Sequence, residues 1–257
     1  MAIQQQKRYN VLLIGDSCQD VYHFGTCDRI SAEAPVPILK EKYLKVRDGM
    51  AHNVKNNLEA FGLNVDFITN EEQIKKHRFI DIRTKAHLLR VDEGEIKKLQ
   101  PFSEELEKKS YNAVILSDYD KGFLSSHACR EVTHHYYNIP VFVDSKKKDL
   151  SCFHKSIIKL NEREYKESVS GCSNSEIIVT LGAKGAMYDG RKFPTIKREV
   201  HDVCGAGDVF LASLVFGFLE TKNLERAIVY ANKFASLSVT KFGTHVLTKE
   251  EINGICV

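Results

Sequence analysis

The sequence lacks the features that membrane proteins and nucleic-acid-binding proteins require. None of its apolar runs is long enough to cross a bilayer, and its first eight residues are largely polar. Lysine and arginine number 37 against 34 aspartate and glutamate residues, so the net charge of +3 produces no strongly basic field. Only five prolines punctuate the 257 residues, and there is no internal repeat. We therefore expect a soluble protein that binds neither nucleic acid nor membrane.

The cysteines and histidines exclude further classes of protein. The seven cysteines are odd in number and never spaced as C-x-x-C, which argues against a disulfide framework and against a structural zinc site. None of the ten histidines forms an H-x-x-x-H pair, and no G-x-S-x-G sequence marks a hydrolase nucleophile. These absences favour a cytoplasmic protein with reduced thiols.

Short, nearly continuous apolar runs recur along the chain and predict strands that are buried on both faces of a parallel sheet. The runs are Tyr9–Gly15, Val65–Thr69, Ala113–Ser117, Val141–Asp144 and Ile177–Leu181, with Ser156–Lys159 as a sixth. Helical patterns lie at Ala51–Phe61, Ser103–Lys109, Ser125–Tyr137, Glu162–Ser168, Val209–Leu219 and Leu224–Thr240. This alternation predicts one α/β domain over residues 1–257, with a doubly wound, mostly parallel sheet flanked by helices.

Two segments depart from this rhythm, namely residues 36–47 and 78–91. Both mix apolar and charged residues in rough alternation, a pattern typical of strands with one face exposed or covered by a partner. We expect these segments to form a small β lid. The half-apolar lid strands also predict a homodimer in which the two lids cover one another.

The strongest local motif is Gly205-Ala206-Gly207-Asp208, which is followed by the almost entirely apolar run 209–219. Small residues at the start of a buried helix leave backbone N–H groups free to hold a phosphoryl group, and the helix dipole favours negative charge there. Asp208, in the first helical turn, can then accept the proton of an attacking hydroxyl as a catalytic base. A glycine-rich turn with an acidic helix start explains these four residues equally well when they are taken alone.

The run Asp202-Val203-Cys204-Gly205-Ala206-Gly207-Asp208 resembles the C-terminal signature of the ribokinase (PfkB-type) family of carbohydrate kinases. Gly49-Met50-Ala51-His52-Asn53 is similar to the N-terminal Gly-Gly signature of that family. The resemblance implies a ribokinase-like fold and an ATP-dependent kinase that phosphorylates a sugar hydroxyl. It also implies an anion hole at residues 205–207, Asp208 as the base, and sugar contacts from Gly49 and Asn53.

Three further elements resemble parts of the family's nucleotide site. Asn161-Glu162-Arg163-Glu164 is similar to an Asn-x-x-Glu element, which implies that Asn161 and Glu164 position Mg²⁺, with Glu164 reaching the metal through water. Thr180-Leu181-Gly182-Ala183-Lys184-Gly185 resembles the turn that lines the ATP site, and Asn232 falls near the expected adenine position. The resemblance also allows a monovalent cation. Without it, a helix cap, a plain connecting turn and a surface asparagine are open alternatives.

The N-terminal half resembles the D-glycero-β-D-manno-heptose 7-phosphate kinase branch of the family. The matching stretches are residues 14–20, 29–37 and 116–122, and the Ser-x-Glu-Ala-Pro-Val-Pro run within the second is unusual. Asp16 and Asp20 lie just past a predicted strand end, where carboxylates can accept hydrogen bonds from sugar hydroxyls, although Asp16 also suits a turn. A phosphate on the substrate would need cations, and the candidates are Arg78, Arg90, Lys76 and the lysine run 146–148. Among them Lys146, in an Asp-Ser-Lys run that resembles the family's Asp-Pro-Lys, is the best placed.

The chain departs from the family pattern at three places. Between Asn70 and Lys76 it is shorter than full-length relatives, which have an additional helix and strand there. Met50 occupies the position of a second glycine, and Cys204 replaces a common threonine. The shortening puts the identity of the sugar in question more than the fold.

Two classes of function are compatible with the sequence. The first is an ATP-dependent kinase for a sugar or sugar phosphate, with heptose 7-phosphate as one candidate and a nucleoside kinase of the same family as another. The second is a catalytically impaired module that binds a sugar phosphate or a partner protein. The presence of Asp208 together with Asn161 and Glu164 favours the kinase, because a chain freed from catalysis has no reason to keep base and metal elements together.

Overall fold

A computed structural model describes residues 9–95, 99–103, 106, 109–170 and 174–256 of the chain. The strands are β1 Asn10–Gly15, β2 Ser17–Ile30, β3 Pro37–Met50, β4 Asn64–Thr69, β5 Lys75–Asp81, β6 Ala86–Glu93, β7 Ala113–Asp118, β8 Val141–Ser145, β9 Ile157–Asn161, β10 Glu176–Thr180, β11 Ala186–Tyr188 and β12 Arg191–Phe193. The helices are α1 Ala51–Ala60, α2 Ser126–His135, α3 Glu162–Glu167, α4 Ala206–Thr221, α5 Leu224–Ser238 and α6 Lys249–Cys256.

The main sheet contains eight strands in the order β12-β11-β10-β9-β8-β7-β1-β4. Neighbouring strands from β10 to β4 are parallel, whereas β11 and β12 form an antiparallel hairpin at one edge. The hairpin turn is Asp189-Gly190, and both residues have positive φ, as a two-residue turn between twisted strands requires. The sheet is therefore mostly parallel, as the sequence predicted.

Helices cover both faces of this sheet. Val11 and Leu13 of β1 belong to one hydrophobic cluster with residues of α1, α4 and α5, whereas Leu12 and Ile14 belong to a second cluster with residues of α2. Alternate side chains of a strand point to opposite faces, so both faces of β1 are buried. This double burial explains why the parallel strands appear in the sequence as continuous apolar runs.

The predicted elements of the main sheet and its helices are present, with shifts of one to three residues at most ends. The sixth apolar run, 156–159, overlaps β9, which begins at Ile157, and the helix predicted at 209–219 begins three residues earlier, at Ala206. The helix predicted at 103–109 falls mostly outside the described residues. α4 has 16 residues, and within the described ranges no helix combines the length and the apolar composition of a membrane span.

A second, four-stranded sheet has the order β3-β2-β5-β6, and we call it the lid. Residues 36–47 lie mainly in β3, and residues 78–91 form parts of β5 and β6 with a turn between them. The central strand β2 was not predicted, which corrects the interpretation of Asp20: it lies inside β2 and not in a loop after β1. β2 has hydrogen-bonded neighbours on both sides, so tertiary pairing defines it more than its own pattern.

The lid is joined to the main sheet where β1 ends and α1 begins. The backbone N–H of Ala51 donates to the carbonyl of Asp16 (2.9 Å), and β2 starts at the next residue, Ser17. On the other side, five residues connect β4 to β5, and the side chain of Asn70 accepts a hydrogen bond from the backbone of Ser17 (2.7 Å). The segment after Asn70, which the sequence predicted to be short, therefore connects β4 of the main sheet directly to β5 of the lid.

Candidate active site

The candidate site lies at the carboxyl ends of the parallel strands, where open α/β sheets bind ligands. Asp16 follows β1 and Tyr119 follows β7, while Asp144 and Asn161 lie at the ends of β8 and β9. The amino end of α4 meets this edge of the sheet, because the side chains of Asn53 and Tyr119 both contact Asp208. Residues that are far apart in sequence therefore converge on Asp208.

Gly205 and Gly207 allow the close packing at the start of α4. Gly205 is the N-cap with φ of 76°, and a Cβ there would lie 2.8 Å from the Asn53 side-chain nitrogen. A Cβ on Gly207 would lie 3.1 Å from Nζ of Lys159. Glycine therefore fits where a side chain would meet Asn53 or Lys159, and the positive end of the helix dipole lies beside a lysine ammonium, which favours an anion there.

Asp208 is almost fully buried, at 3% exposure, and both of its carboxylate oxygens are hydrogen bonded. Oδ2 accepts from the side-chain amide of Asn53 (2.9 Å), and Oδ1 accepts from the hydroxyl of Tyr119 (2.5 Å). Burial raises the pKa of Asp208 to about 6, against the opposing effect of the two donors. At neutral pH the carboxylate is therefore mostly ionised and can accept a proton.

Asp16 is a second buried carboxylate, at 0% exposure. Its Oδ2 accepts from the backbone N–H of Tyr119 (2.6 Å), whereas its Oδ1 has no hydrogen-bond partner among the described residues. Burial, together with the charge of Asp118, raises its pKa to about 6. A buried carboxylate oxygen without a partner is energetically costly, so it is suited to a hydroxyl of a bound molecule.

The remaining residues predicted to bind substrate have protein partners. Asp20 forms an ion pair with Arg78 of β5 (2.8 Å), and a Cβ on Gly49 would lie 2.5 Å from Oδ2 of Asp20, so only glycine fits there. The amide of Asn53 donates to Asp208, which gives Asn53 a role in holding that carboxylate.

Lys146 and Glu164 form an ion pair at the rim of the site. Burial of Lys146 disfavours its ammonium form, but the carboxylates of Asp144 and Glu164 outweigh burial and raise its pKa. The Lys146 nitrogen lies 3.9 Å from Oδ1 of Asp144, an oxygen with no hydrogen-bond partner in the described part of the chain. Lys146 therefore remains a cation that faces two carboxylates.

Asn161 and Glu164 form a complete capping box at the start of α3. The Asn161 side chain accepts from the Glu164 backbone (2.8 Å), and Glu164 Oε2 accepts from the Asn161 backbone (2.7 Å). Among the described residues there is no cluster of three or more side chains that could hold a metal directly. The carboxylates of Asp144 and Glu164 nevertheless offer the oxygen ligands that Mg²⁺ prefers while it keeps several waters.

A cavity of about 420 Å³ opens beside the amino end of α4. Its lining includes Thr180, Gly182, Gly185 and Asn232, together with Ala206, Gly207, Phe210, Ala235 and Val239. This volume is within the range of pockets that hold ligands the size of a drug or cofactor. The structure therefore brings Thr180, Gly182, Gly185 and Asn232 to one pocket that reaches residues 206 and 207, whereas Asn161 and Glu164 of the predicted nucleotide site are not part of its lining.

Asn232 and Gly185 also stabilise the wall of this pocket. The side chain of Asn232 donates to the carbonyl of Phe193 (2.8 Å), so its amide ties α5 to β12. Gly185 has φ of 91°, and a Cβ there would lie 2.1 Å from the same Phe193 carbonyl. The turn after β10 therefore packs directly on the hairpin, which explains the need for glycine at this position.

Sequence reasoning missed three residues at the centre of the site, namely Tyr119, Asp144 and Lys159. The Lys159 ammonium is buried and pairs with Asp144 (2.6 Å), next to Gly207. A sequence signal for two of them was available: Asp144 and Lys159 each end an apolar strand run. Charged residues are rarely buried without a partner of opposite charge, so the two runs indicated a buried ion pair. Tyr119 lies in the stretch 116–122, which was noted for its resemblance but not for its chemistry.

Comparison with known proteins identifies the family of this chain. The sequence profile of the pfkB family carbohydrate kinases matches residues 44–251. The chain therefore belongs to the pfkB family of carbohydrate kinases, whose members are ATP-dependent.

A sequence relative and two solved structures are similar to this chain. The chain is 32% identical over 297 aligned positions to Bifunctional protein HldE of a Nitratiruptor species, covering 94% of this chain and 64% of that relative. Its fold is similar to phosphofructokinase-2 from Escherichia coli (TM-score 0.73, 13% identity, 96% and 98% of the two chains). Ribokinase from Thermotoga maritima is also similar (TM-score 0.68, 17% identity, 96% and 99%). These likenesses establish a ribokinase-like α/β fold.

The alignment with the HldE relative also bears on the length of the chain. It contains 297 positions although this chain has only 257 residues, so the relative includes residues that have no counterpart here. This agrees with the sequence prediction that the chain is shorter than full-length relatives.

Proposed function

We propose that the chain transfers the γ-phosphoryl group of ATP to a hydroxyl of a sugar or sugar phosphate. The hydroxyl oxygen forms a bond to the γ-phosphorus, the bond from that phosphorus to the β,γ-bridging oxygen breaks, and ADP leaves. The hydroxyl proton passes to Asp208. The backbone at Gly205, Ala206 and Gly207 stabilises the negative charge on the transferring group.

The observation that carries this proposal is the position of Asp208. Its carboxylate is buried and ionised at neutral pH, and it lies in the first turn of the helix whose amino end borders the 420 Å³ pocket. A base and an anion-binding helix end within one turn of each other suit transfer from a nucleotide to a hydroxyl. Asp16, held by the same residue as Asp208, supplies the acceptor for a second substrate hydroxyl.

We infer that the nucleotide occupies the pocket lined by Thr180, Gly182, Gly185 and Asn232, with its phosphates toward Gly207. Glu164, supported by Asn161, would hold Mg²⁺ through water, and the metal would supply positive charge that neutralises the phosphates. A monovalent cation stays a prediction from the family resemblance.

A sugar that already carries a phosphate is the preferred acceptor, and heptose 7-phosphate is the first candidate. The sequence stretches 14–20, 29–37 and 116–122 and the HldE relatives support this choice. Cations near these residues suit a substrate phosphate: Lys76 of the lid and Lys146 lie 5.7 and 5.5 Å from the Tyr119 ring centre, and Arg78 of the lid pairs with Asp20. We therefore keep Asp20, Gly49, Asn53 and Lys146 as the proposed contacts of the sugar phosphate.

Two further parts of the proposal concern assembly and location. The lid exposes large apolar side chains, which supports a homodimer formed through this sheet; they include Ile30, Tyr43, Leu44, Val46, Leu89 and Val91. Five described cysteines are free thiols, which supports a reducing compartment such as the cytoplasm.

A coupled ADP-release assay tests the proposal. The purified protein is given ATP and Mg²⁺ with heptose 7-phosphate, unphosphorylated heptose, ribose, fructose 6-phosphate or nucleosides, and Asp208→Asn is the matched control. We expect turnover of a phosphorylated sugar by the wild type and none above background by the variant. If no acceptor is turned over and ATP does not shift the melting temperature, the chain is a binding module and the proposal is wrong.

A further inference from the structure

Tyr119 connects the two buried carboxylates of the site. Its backbone N–H donates to Oδ2 of Asp16 (2.6 Å), and its hydroxyl donates to Oδ1 of Asp208 (2.5 Å). Asp16 belongs to the end of β1, whereas Asp208 belongs to the first turn of α4. A single residue thus fixes a carboxylate of the sheet edge relative to a carboxylate of the helix.

The ring of Tyr119 is itself held in place. The ammonium groups of Lys76 from the lid and Lys146 from the main sheet lie 5.7 and 5.5 Å from the ring centre, within the range of cation–π interactions. The ring also packs against the hydrophobic cluster on the α2 face of the sheet. The direction of the hydroxyl is therefore determined by packing, independently of its bond to Asp208.

We propose that Tyr119 is a positioning residue for the phosphoryl transfer: its hydroxyl holds the carboxylate of Asp208 in the orientation that accepts the substrate proton. The inference rests on the proposed function, since it takes Asp208 as the base. The second oxygen of the base, Oδ2, is held by Asn53, so the two donors together fix the plane of the carboxylate. Each oxygen retains acceptor capacity for the incoming hydroxyl.

The test is the variant Tyr119→Phe, which removes the hydroxyl and keeps the ring between the two lysines. Loss of a hydrogen bond to a charged group should lower kcat by roughly tenfold to a hundredfold, with the KM for ATP nearly unchanged. The acid limb of the pH–rate profile should move to higher pH, because a donor that favours the ionised carboxylate has been lost. A role in packing alone would leave that limb in place.

Tyr188→Phe is the matched control. The hydroxyl of Tyr188 also bonds to a carboxylate, that of Glu176 (2.9 Å), but Tyr188 lies in the edge hairpin away from Asp208. This variant should keep the kcat and the pH profile of the wild type. An equal loss in both variants would mean that the effect is general, and the inference would be wrong.

A titration of Asp208 separates failure of this inference from failure of the proposed function. Carboxyl ¹³C resonances of labelled protein, with Asp208 assigned from Asp208→Asn, should show a higher pKa for Asp208 in Tyr119→Phe than in the wild type. If the wild type turns over sugar but neither kcat nor this pKa changes in the variant, Tyr119 has no positioning role. If no acceptor is turned over but the pKa moves, the contact stands and the kinase proposal fails. A higher kcat in Tyr119→Phe would show that the phenol blocks the base, which contradicts positioning.

Discussion

Replacement of Asp208 by asparagine should abolish turnover and yet make the protein more stable at neutral pH. The reason is the cost of burying a charge: at 3% exposure, the carboxylate has a pKa of about 6 in place of the ordinary 3.8. Two pKa units correspond to about 3 kcal/mol of preference for the protonated form in the folded state. Asparagine removes the charge while keeping the shape of the side chain.

The pH dependence of this stability change follows from the protons bound by Asp208 in the folded and unfolded states. Below pH 3.8 the carboxyl is protonated in both states, so the folded protein carries no penalty. Between pH 3.8 and about 6 the unfolded chain releases the proton and the folded protein keeps it, so stability falls as pH rises. Above about 6 the penalty is complete.

The hydrogen bonds of Asp208 can survive the substitution. The amide oxygen of the new asparagine can accept from Asn53, and its N–H group can donate to the hydroxyl of Tyr119, which then acts as an acceptor. We therefore expect a gain of about 1 to 3 kcal/mol in the free energy of unfolding at pH 7.5, and under about 1 kcal/mol at pH 4. For a protein of this size, each kcal/mol raises Tm by about 2 to 4 °C.

The assay is urea unfolding of the wild type and Asp208→Asn at several pH values, with the ADP-release assay run on the same samples. Asp149→Asn is a control of opposite sign, because the Ser170 hydroxyl and the Ser151 backbone lower the pKa of Asp149 to about 2. That variant should be less stable than the wild type at pH 7.5. The reasoning fails if Asp208→Asn is less stable than the wild type at pH 7.5, or if its gain does not shrink toward pH 4.

Three further predictions follow from the same contacts. Met50→Gly should be more stable than Met50→Ala by about 1 kcal/mol or more in urea unfolding, because only glycine relieves the φ of 59° at this buried position. Gly205→Ala should lower kcat by about tenfold or more in the ADP-release assay, because its Cβ would lie 2.8 Å from the Asn53 nitrogen that holds Asp208. In a plot of log kcat/KM against pH, the values should fall below about pH 6 with a slope near two, since Asp16 and Asp208 both have pKa values of about 6. A slope of one would mean that only one carboxylate must be ionised.

The lid shows where sequence patterns stop being informative. β2 contains Gly25 and irregular pairing next to Phe24 and Cys27, so its residues do not alternate cleanly. It is a strand because β3 and β5 pair with it on its two sides. Such pairing depends on residues that are distant in the chain, so a short stretch of sequence does not predict it. At Met50, by contrast, the sequence pattern was informative. The family pattern has glycine at this position, and Met50 has a positive φ in the structure, which glycine adopts at the lowest cost.

The sequence by itself determined the parallel sheet, its helices and the motif at residues 205–208, because each depends on burial periodicity or on residues adjacent in the chain. Tertiary structure alone decided what surrounds Asp208. Asn53 is 155 positions away and Tyr119 is 89 positions away, and no short-range pattern predicts that both would donate to one carboxylate. The raised pKa of Asp208 has the same origin, because desolvation depends on every segment that covers the group and not on its neighbours in sequence.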